Sequence, residues 1–133
     1  MGVTPDIKLG FFTQFAYGDD CLLLQGTPDA LHMLSTRLGE FVASSHEEWP
    51  VHDFALVPGR HPAKLFASRS GMSGSTGFRW RCSPAELPSI QAMLEALVAS
   101  GSGHHQYFDL AGSTAQLVVS ANEYPESWWE AHA

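Results

Sequence analysis

The chain writes the same helix twice, and this restricts what it can fold into more than any other feature. Residues 27–44, TPDALHMLSTRLGEFVAS, align without a gap to residues 83–100, SPAELPSIQAMLEALVAS, fifty-six positions later. Six of eighteen pairs are identical: Pro28/Pro84, Leu31/Leu87, Leu38/Leu94, Val42/Val98, Ala43/Ala99 and Ser44/Ser100. The apolar spacing repeats as well. Leu31, Leu34, Leu38, Phe41 and Val42 fall at i, i+3, i+7, i+10 and i+11, and Leu87, Ile90, Leu94, Leu97 and Val98 reproduce that series. Each set makes one stripe along a helix. Thr27 and Ser83 are the expected N-caps, each followed by a proline at the first helical position, where its missing N–H costs nothing. Gly101 is the expected stop of the second helix. Pro88 interrupts the second copy, so either 84–87 form a separate turn or the first turn is kinked.

The flanking segments also correspond. CLLLQG precedes the first helix and FRWRC the second; VHDFALV and KLFAS follow the first, HQYFDL and QLVVS the second. Each apolar stripe needs a sheet face to bury against. The expectation is therefore an α+β fold with a single antiparallel or mixed sheet and two helices packed on one face. It comprises two β-α-β-β repeats, at about 20–70 and 77–121, an added N-terminal strand in IKLGFFTQFA and a tail at 122–133, all in one domain spanning 1–133.

Composition excludes several classes. A chain of 133 residues with 44% hydrophobic and 16% charged residues is that of an ordinary globule. No apolar run approaches the roughly 20 residues that span a bilayer, and MGVTPDIKLGFF lacks the basic start and apolar stretch of a secretory signal. A cytoplasmic protein that does not bind membranes is expected. Cys21 and Cys82 have neither zinc nor CxxC spacing and are expected as buried thiols. The net charge of −7 is uneven: five of the seven Lys and Arg (Arg60, Lys64, Arg69, Arg79, Arg81) lie in residues 60–81, which hold no acid. An acidic chain lacks the basic excess that nucleic acid requires.

Three groups of residues carry candidate chemistry. Strand alternation in FRWRC puts Arg79 and Arg81 on one face, where they could grip a phosphate or carboxylate or else offset the chain's own acids. GMSGSTG has neither a phosphate-loop ending nor the GxSxG pattern and reads as a flexible connection. His52 and His105 are possible equivalents in the two repeats, whereas His104 and His105 should point to opposite faces; there is no HExxH. No motif requires a metal or other cofactor, and none assigns a catalytic residue. The tail NEYPESWWEAHA joins Tyr124, Trp128 and Trp129 to Glu123, Glu126 and Glu130, and EEWP adds Trp49 to Glu47 and Glu48. Aromatic anchors in an acidic rim suit a basic protein partner; the bland alternative is a tail folded back with its tryptophans capping the core. A homodimer stays open.

With these residues assembled, the chain resembles small bacterial α+β proteins of the Imm32 type, grouped with the immunity proteins of polymorphic toxin systems. The matching parts are Gly26 to Leu31, more loosely Ser83 to Leu87, His105 with Tyr107 and Phe108, and Leu117 to Val119. The resemblance implies a non-enzymatic protein that binds and blocks a toxin. YFDLAGSTAQLVV is in turn faintly similar to a segment of glyoxalase-type metal enzymes, which are also built from repeated strand–helix units. That similarity implies a metal-dependent enzyme or small-ligand-binding protein using His52, His105, Tyr107, Arg79 and Arg81, though neither CLLLQG nor FRWRC supplies the histidine it wants.

Overall fold

The computed structural model describes residues 7–13, 20–55, 63–71 and 76–132. In chain order the elements are β1 (Ile7–Phe12), β2 (Cys21–Gly26), α1 (Pro28–Ala43), β3 (Glu48–Pro50), a 3-10 helix (Val51–Phe54), β4 (Leu65–Ser68), β5 (Phe78–Arg81), α2 (Leu87–Ser100), β6 (His104–Asp109), β7 (Gln116–Ala121) and α3 (Glu126–His132). The α+β class and the doubled strand–helix–strand–strand order follow the sequence. The strands divide, however, into two mixed sheets. One has the order β1-β2-β7-β6 and the other β3-β4-β5.

The division has a rule. In the larger sheet β2 of the first repeat runs parallel to β7 of the second, which pairs antiparallel with β6. In the smaller sheet β5 of the second repeat runs parallel to β4 of the first, which pairs antiparallel with β3. Each repeat thus lends its hairpin to the other repeat's opening strand. The registers agree to the residue. Leu22 and Leu24 face Leu117 and Val119, and their counterparts Phe78 and Trp80, fifty-six positions on, face Leu65 and Ala67. A pseudo-two-fold axis relates the halves, and the helices meet near it: Gln91 Nε2 donates to the Ser35 carbonyl at 3.1 Å, and Ser35 and Gln91 are equivalent positions. A Cβ on Gly39 would sit 3.0 Å from that same amide, so a larger residue there would press on the side chain that bridges the helices.

One cluster fills the space between. Leu22, Leu24, Leu117 and Val119 of the larger sheet, Leu65, Ala67 and Trp80 of the smaller, and the stripe residues Leu31, Leu34, Leu38, Phe41, Ile90, Leu94 and Leu97 all belong to it. Rings span the two sheets, with Phe11 stacked on Phe78 at 5.2 Å and Trp80 against Phe108 at 5.0 Å. No helix among the described residues is long and apolar enough to cross a membrane.

Local corrections have local causes. Thr27 caps α1, accepting from Ala30 N at 3.1 Å. Ser83 instead caps a turn at 84–86, accepting from Glu86 N at 3.3 Å while its hydroxyl donates to the Glu86 carboxylate at 2.6 Å. The helix proper starts at Leu87 with Pro88 in its first turn, where no intrahelical bond is lost. Gly101 ends it at φ +77°, its N–H donating to Leu97 O at 3.1 Å. The described part of VHDFALV, residues 51–55, is no strand: extended pairing stops at Pro50, and Val51–Phe54 form the 3-10 helix. There the Leu65 N–H donates to His52 Nδ1 at 3.2 Å, an imidazole taking the place of a neighbouring strand. Leu56 and Val57, Gln14 to Ala16 of the first strand, and residues 72–75 of the glycine-rich stretch lie outside the described residues. Arg69 belongs to the end of α1, where its guanidinium donates to the carbonyls of Phe41 (3.0 Å), Val42 (2.8 Å), Ser44 and His46 (2.6 Å). A cation on those orphan carbonyls complements the helix dipole.

Both cysteines are free and buried, and burial pushes each thiol up from 9.0 to about 12. The folded chain keeps these groups protonated where the unfolded chain would already ionise, so their contribution to stability is complete below pH 9 and is lost as pH rises through about 12. The expected result is a urea midpoint that falls between pH 9 and 12, less steeply in Cys82→Ala. A thiol reagent at pH 8 should label neither cysteine until urea is added. Leu94→Ala should lower unfolding free energy by about 2–5 kcal/mol in a single transition, because it opens a cavity in the one shared core.

Candidate functional site

Strand alternation gives the larger sheet a second face. Cys21, Leu23 and Val118 point away from the shared core and form their own cluster with Trp129. The chain covers this face with α3. Gln25 fixes its approach by a reciprocal pair: its side-chain amide donates to Tyr124 O at 2.7 Å, and Tyr124 N donates back to Gln25 Oε1 at 2.7 Å. Asn122 turns the chain at φ +51° just before, a conformation asparagine tolerates. Trp129 then inserts over Gly10, where a Cβ would sit 3.1 Å from the indole. Rings pack around it: Phe12 lies 5.6 Å from Trp129 and 5.1 Å from Trp128, and Tyr124 lies 4.5 Å from Trp128. An ion pair between Lys8 and Glu126 ties the helix to β1.

The aromatic candidates of the tail therefore separate. Trp129 is 2% exposed and serves packing; it offers a partner almost no surface. Tyr124 and Trp128 are half-buried, with Glu126 and Glu130 exposed beside them. Burial pushes the Tyr124 phenol up, with the charge of Glu123 adding to the effect. The EEWP candidates lie on the other sheet. Trp49 packs against the main core and Phe54, ring to ring at 5.7 Å. Glu47 accepts from Ser70 N (3.2 Å) and Oγ (2.5 Å). Glu48 faces Arg79, its Oε2 2.5 Å from Arg79 Nε.

That last contact decides the fate of the two arginines. Arg79 is 4% exposed, stacked 4.2 Å above the Phe66 ring and paired with Glu48, so it neutralises the chain's own acid. Removing one member of such a pair would leave a buried charge without its partner. Arg81, two residues on, is exposed and has no ion pair or hydrogen bond among the described residues. The sites of Arg79 and Leu23 are equivalent in the two halves, as are those of Phe66 and Val118. One outer face is covered by an indole and the other by a guanidinium lying on a ring.

The histidines do not converge. By register it is Glu48, opposite Ser68, that matches His105, opposite Ser120; His52 sits on the smaller sheet against Phe66 at 5.0 Å. His104 and His105 point to opposite faces. His105 instead takes part in a hydrogen-bonded series: Ser120 Oγ donates to Glu123 at 2.8 Å, Glu123 meets His105 Nδ1 at 2.9 Å, and His105 Nε2 lies 3.2 Å from the Tyr107 hydroxyl. The series orients the imidazole and anchors the residues leading into α3. No group of three or more His, Cys, Asp or Glu among the described residues is placed to hold a metal ion.

A cleft of about 610 Å³ opens between β5 and β6 beside the start of α2. Trp80, Phe108, Ile90 and Met93 give it apolar walls, and Arg81 and Asp109 stand in its lining. Its volume lies within the range of small-molecule sites. No protein-family model matches the chain, and no curated protein or solved structure shows significant similarity to it.

Sequence patterning singled out the tail, with Glu123 among its acids, and Arg81, but not Gln25 or the cleft. Gln25 reads as a polar residue at a strand end, and only its pairing with Tyr124 gives it a role. Trp129→Ala should cost about 3–5 kcal/mol in urea unfolding, as expected of a buried indole. Trp128→Ala should cost markedly less.

Proposed function

We propose that the protein is a non-enzymatic binding protein of the cytoplasm, acting through protein–protein contacts on the outer surface of α3 and engaging a basic partner. In this reading the partner is blocked as a toxin is blocked by its immunity protein. The observation that carries it is the way α3 is seated. Trp129 and the Gln25 clamp fix the helix on the sheet, so that the half-buried rings of Tyr124 and Trp128 are held rigidly beside the exposed carboxylates of Glu126 and Glu130. Rigid aromatic groups bury area at low entropic cost, and an acidic rim steers a basic surface toward them. The net charge of −7 adds to that attraction.

The test uses immobilised wild-type protein beside Glu130→Lys and Trp128→Ala, with retained proteins from the native cell quantified by mass spectrometry. A basic protein held in stoichiometric amount by the wild type should be lost from both variants and released by salt. Thermal midpoints should fall little for Trp128→Ala and not at all for Glu130→Lys. An empty wild-type bait, or equal retention by all three, contradicts the reading.

A further inference from the structure

The pseudo-two-fold axis exposes an imbalance between the sheets. In the larger sheet the outer edge of β2 is covered by β1, six residues paired antiparallel from Ile7 opposite Gly26 to Phe12 opposite Cys21. Among the described residues the matching edge of β5 has no such strand. A single backbone bond, Ala111 N to Arg79 O at 2.8 Å, occupies the place that Gly10 holds opposite Leu23. Beyond it no described residue pairs with the edge. Phe78 N and Cys82 N donate toward β4, so alternation turns the N–H and C=O of Arg81 the other way. Arg81 makes no hydrogen bond among the described residues. The cleft lies along this stretch.

We propose that the cleft beside β5 is a binding site for a short extended peptide segment, of apolar–acidic–apolar pattern, that adds to the smaller sheet antiparallel to β5 as β1 adds to β2. The occupant's form comes from the half of the molecule where the place is filled. Opposite Gln25, the counterpart of Arg81, β1 carries Lys8, flanked by Ile7 and Leu9, which are fully buried beneath the sheet. In the open place the flanking side chains would meet the wall formed by Trp80, Phe108, Ile90 and Met93. The central side chain would lie across from Arg81, an exposed cation with no ion pair among the described residues, in a cleft whose lining also holds Glu86 and Asp109. Opposite charges across paired strands attract and like charges repel, so the lysine of β1 becomes an acid in the occupant. Main-chain bonds to the open edge supply affinity and the alternating side chains supply selectivity. The site is separate from the α3 surface, and the two proposals stand or fall independently.

The experiment is a titration of the isotope-labelled full chain with acetylated, amidated tripeptides of sequence Ile-Glu-Leu and Ile-Lys-Leu, followed by backbone amide NMR. Binding in about the millimolar range is expected for so short a segment. The glutamate peptide should shift the amides of Arg81, Ile90, Met93 and Ala111, and the lysine peptide should bind about threefold or more weakly. Arg81→Glu should reverse the order and Arg81→Gln should abolish it. No shift around the cleft at about 5 mM of the glutamate peptide, shifts confined to β1 and β2, or equal binding of both peptides to wild type and Arg81→Glu would overturn the proposal.

Discussion

Everything else in the molecule depends on the two parallel pairings, β2 with β7 and β4 with β5. A β-α-β-β unit alone would offer one helix stripe and one hairpin, with an opening strand bound to neither. By pairing each opening strand with the other unit's hairpin, the chain closes both sheets over one set of helices. The burial that results is shared. On its inner face neither sheet has an apolar layer of its own, because Leu24 and Trp80 reach the same cluster from opposite directions. Such long-range pairing is costly in loop closure, and the cost is recovered only when both halves are in place.

Given that symmetry, the asymmetries are where specific roles appear. Both sheets have an outer face and an outer edge, and the chain treats them differently. On the larger sheet β1 covers the edge and α3 covers the face. On the smaller sheet the face carries the Arg79–Glu48 pair over Phe66, while the edge near Arg81 is left to the cleft. Arg79 and Arg81 are neighbours on one strand face with opposite fates. One is enclosed by its own chain's carboxylate, and the other is left to what lies outside.

Much of this could be read from residues. The helix stripes, Thr27 as a cap, Gly101 as a stop and six of the seven strand cores, all but β3, were legible because local periodicity and capping chemistry decide them. The 3-10 helix was not. VHDF has strand composition, and only the Leu65 amide donating to His52 shows why extended pairing ends at Pro50. Division into two sheets could not be read either, since strand composition is the same whichever hairpin a strand joins. Of the candidate site residues, the tail was legible as an acidic aromatic cluster. Its sorting into a buried Trp129 and a half-exposed Trp128 depends on which face of a seven-residue helix meets Gly10. The cleft left no trace in the sequence, because only the fold brings β5, β6 and the start of α2 together around it.

The pairing scheme itself is the point on which to be contradicted. A nuclear Overhauser experiment on the labelled chain reads it directly from contacts between backbone protons of neighbouring strands. The exchanged topology predicts contacts between Leu23 and Val118 and between Phe66 and Arg79, in parallel ladders that link the first repeat to the second. Contacts of β2 with β3 or β4, and of β5 with β6 or β7 in continuous ladders, would mean that each repeat folds on itself. The shared core, the seat of α3 and the open edge at Arg81 would then have to be given up together.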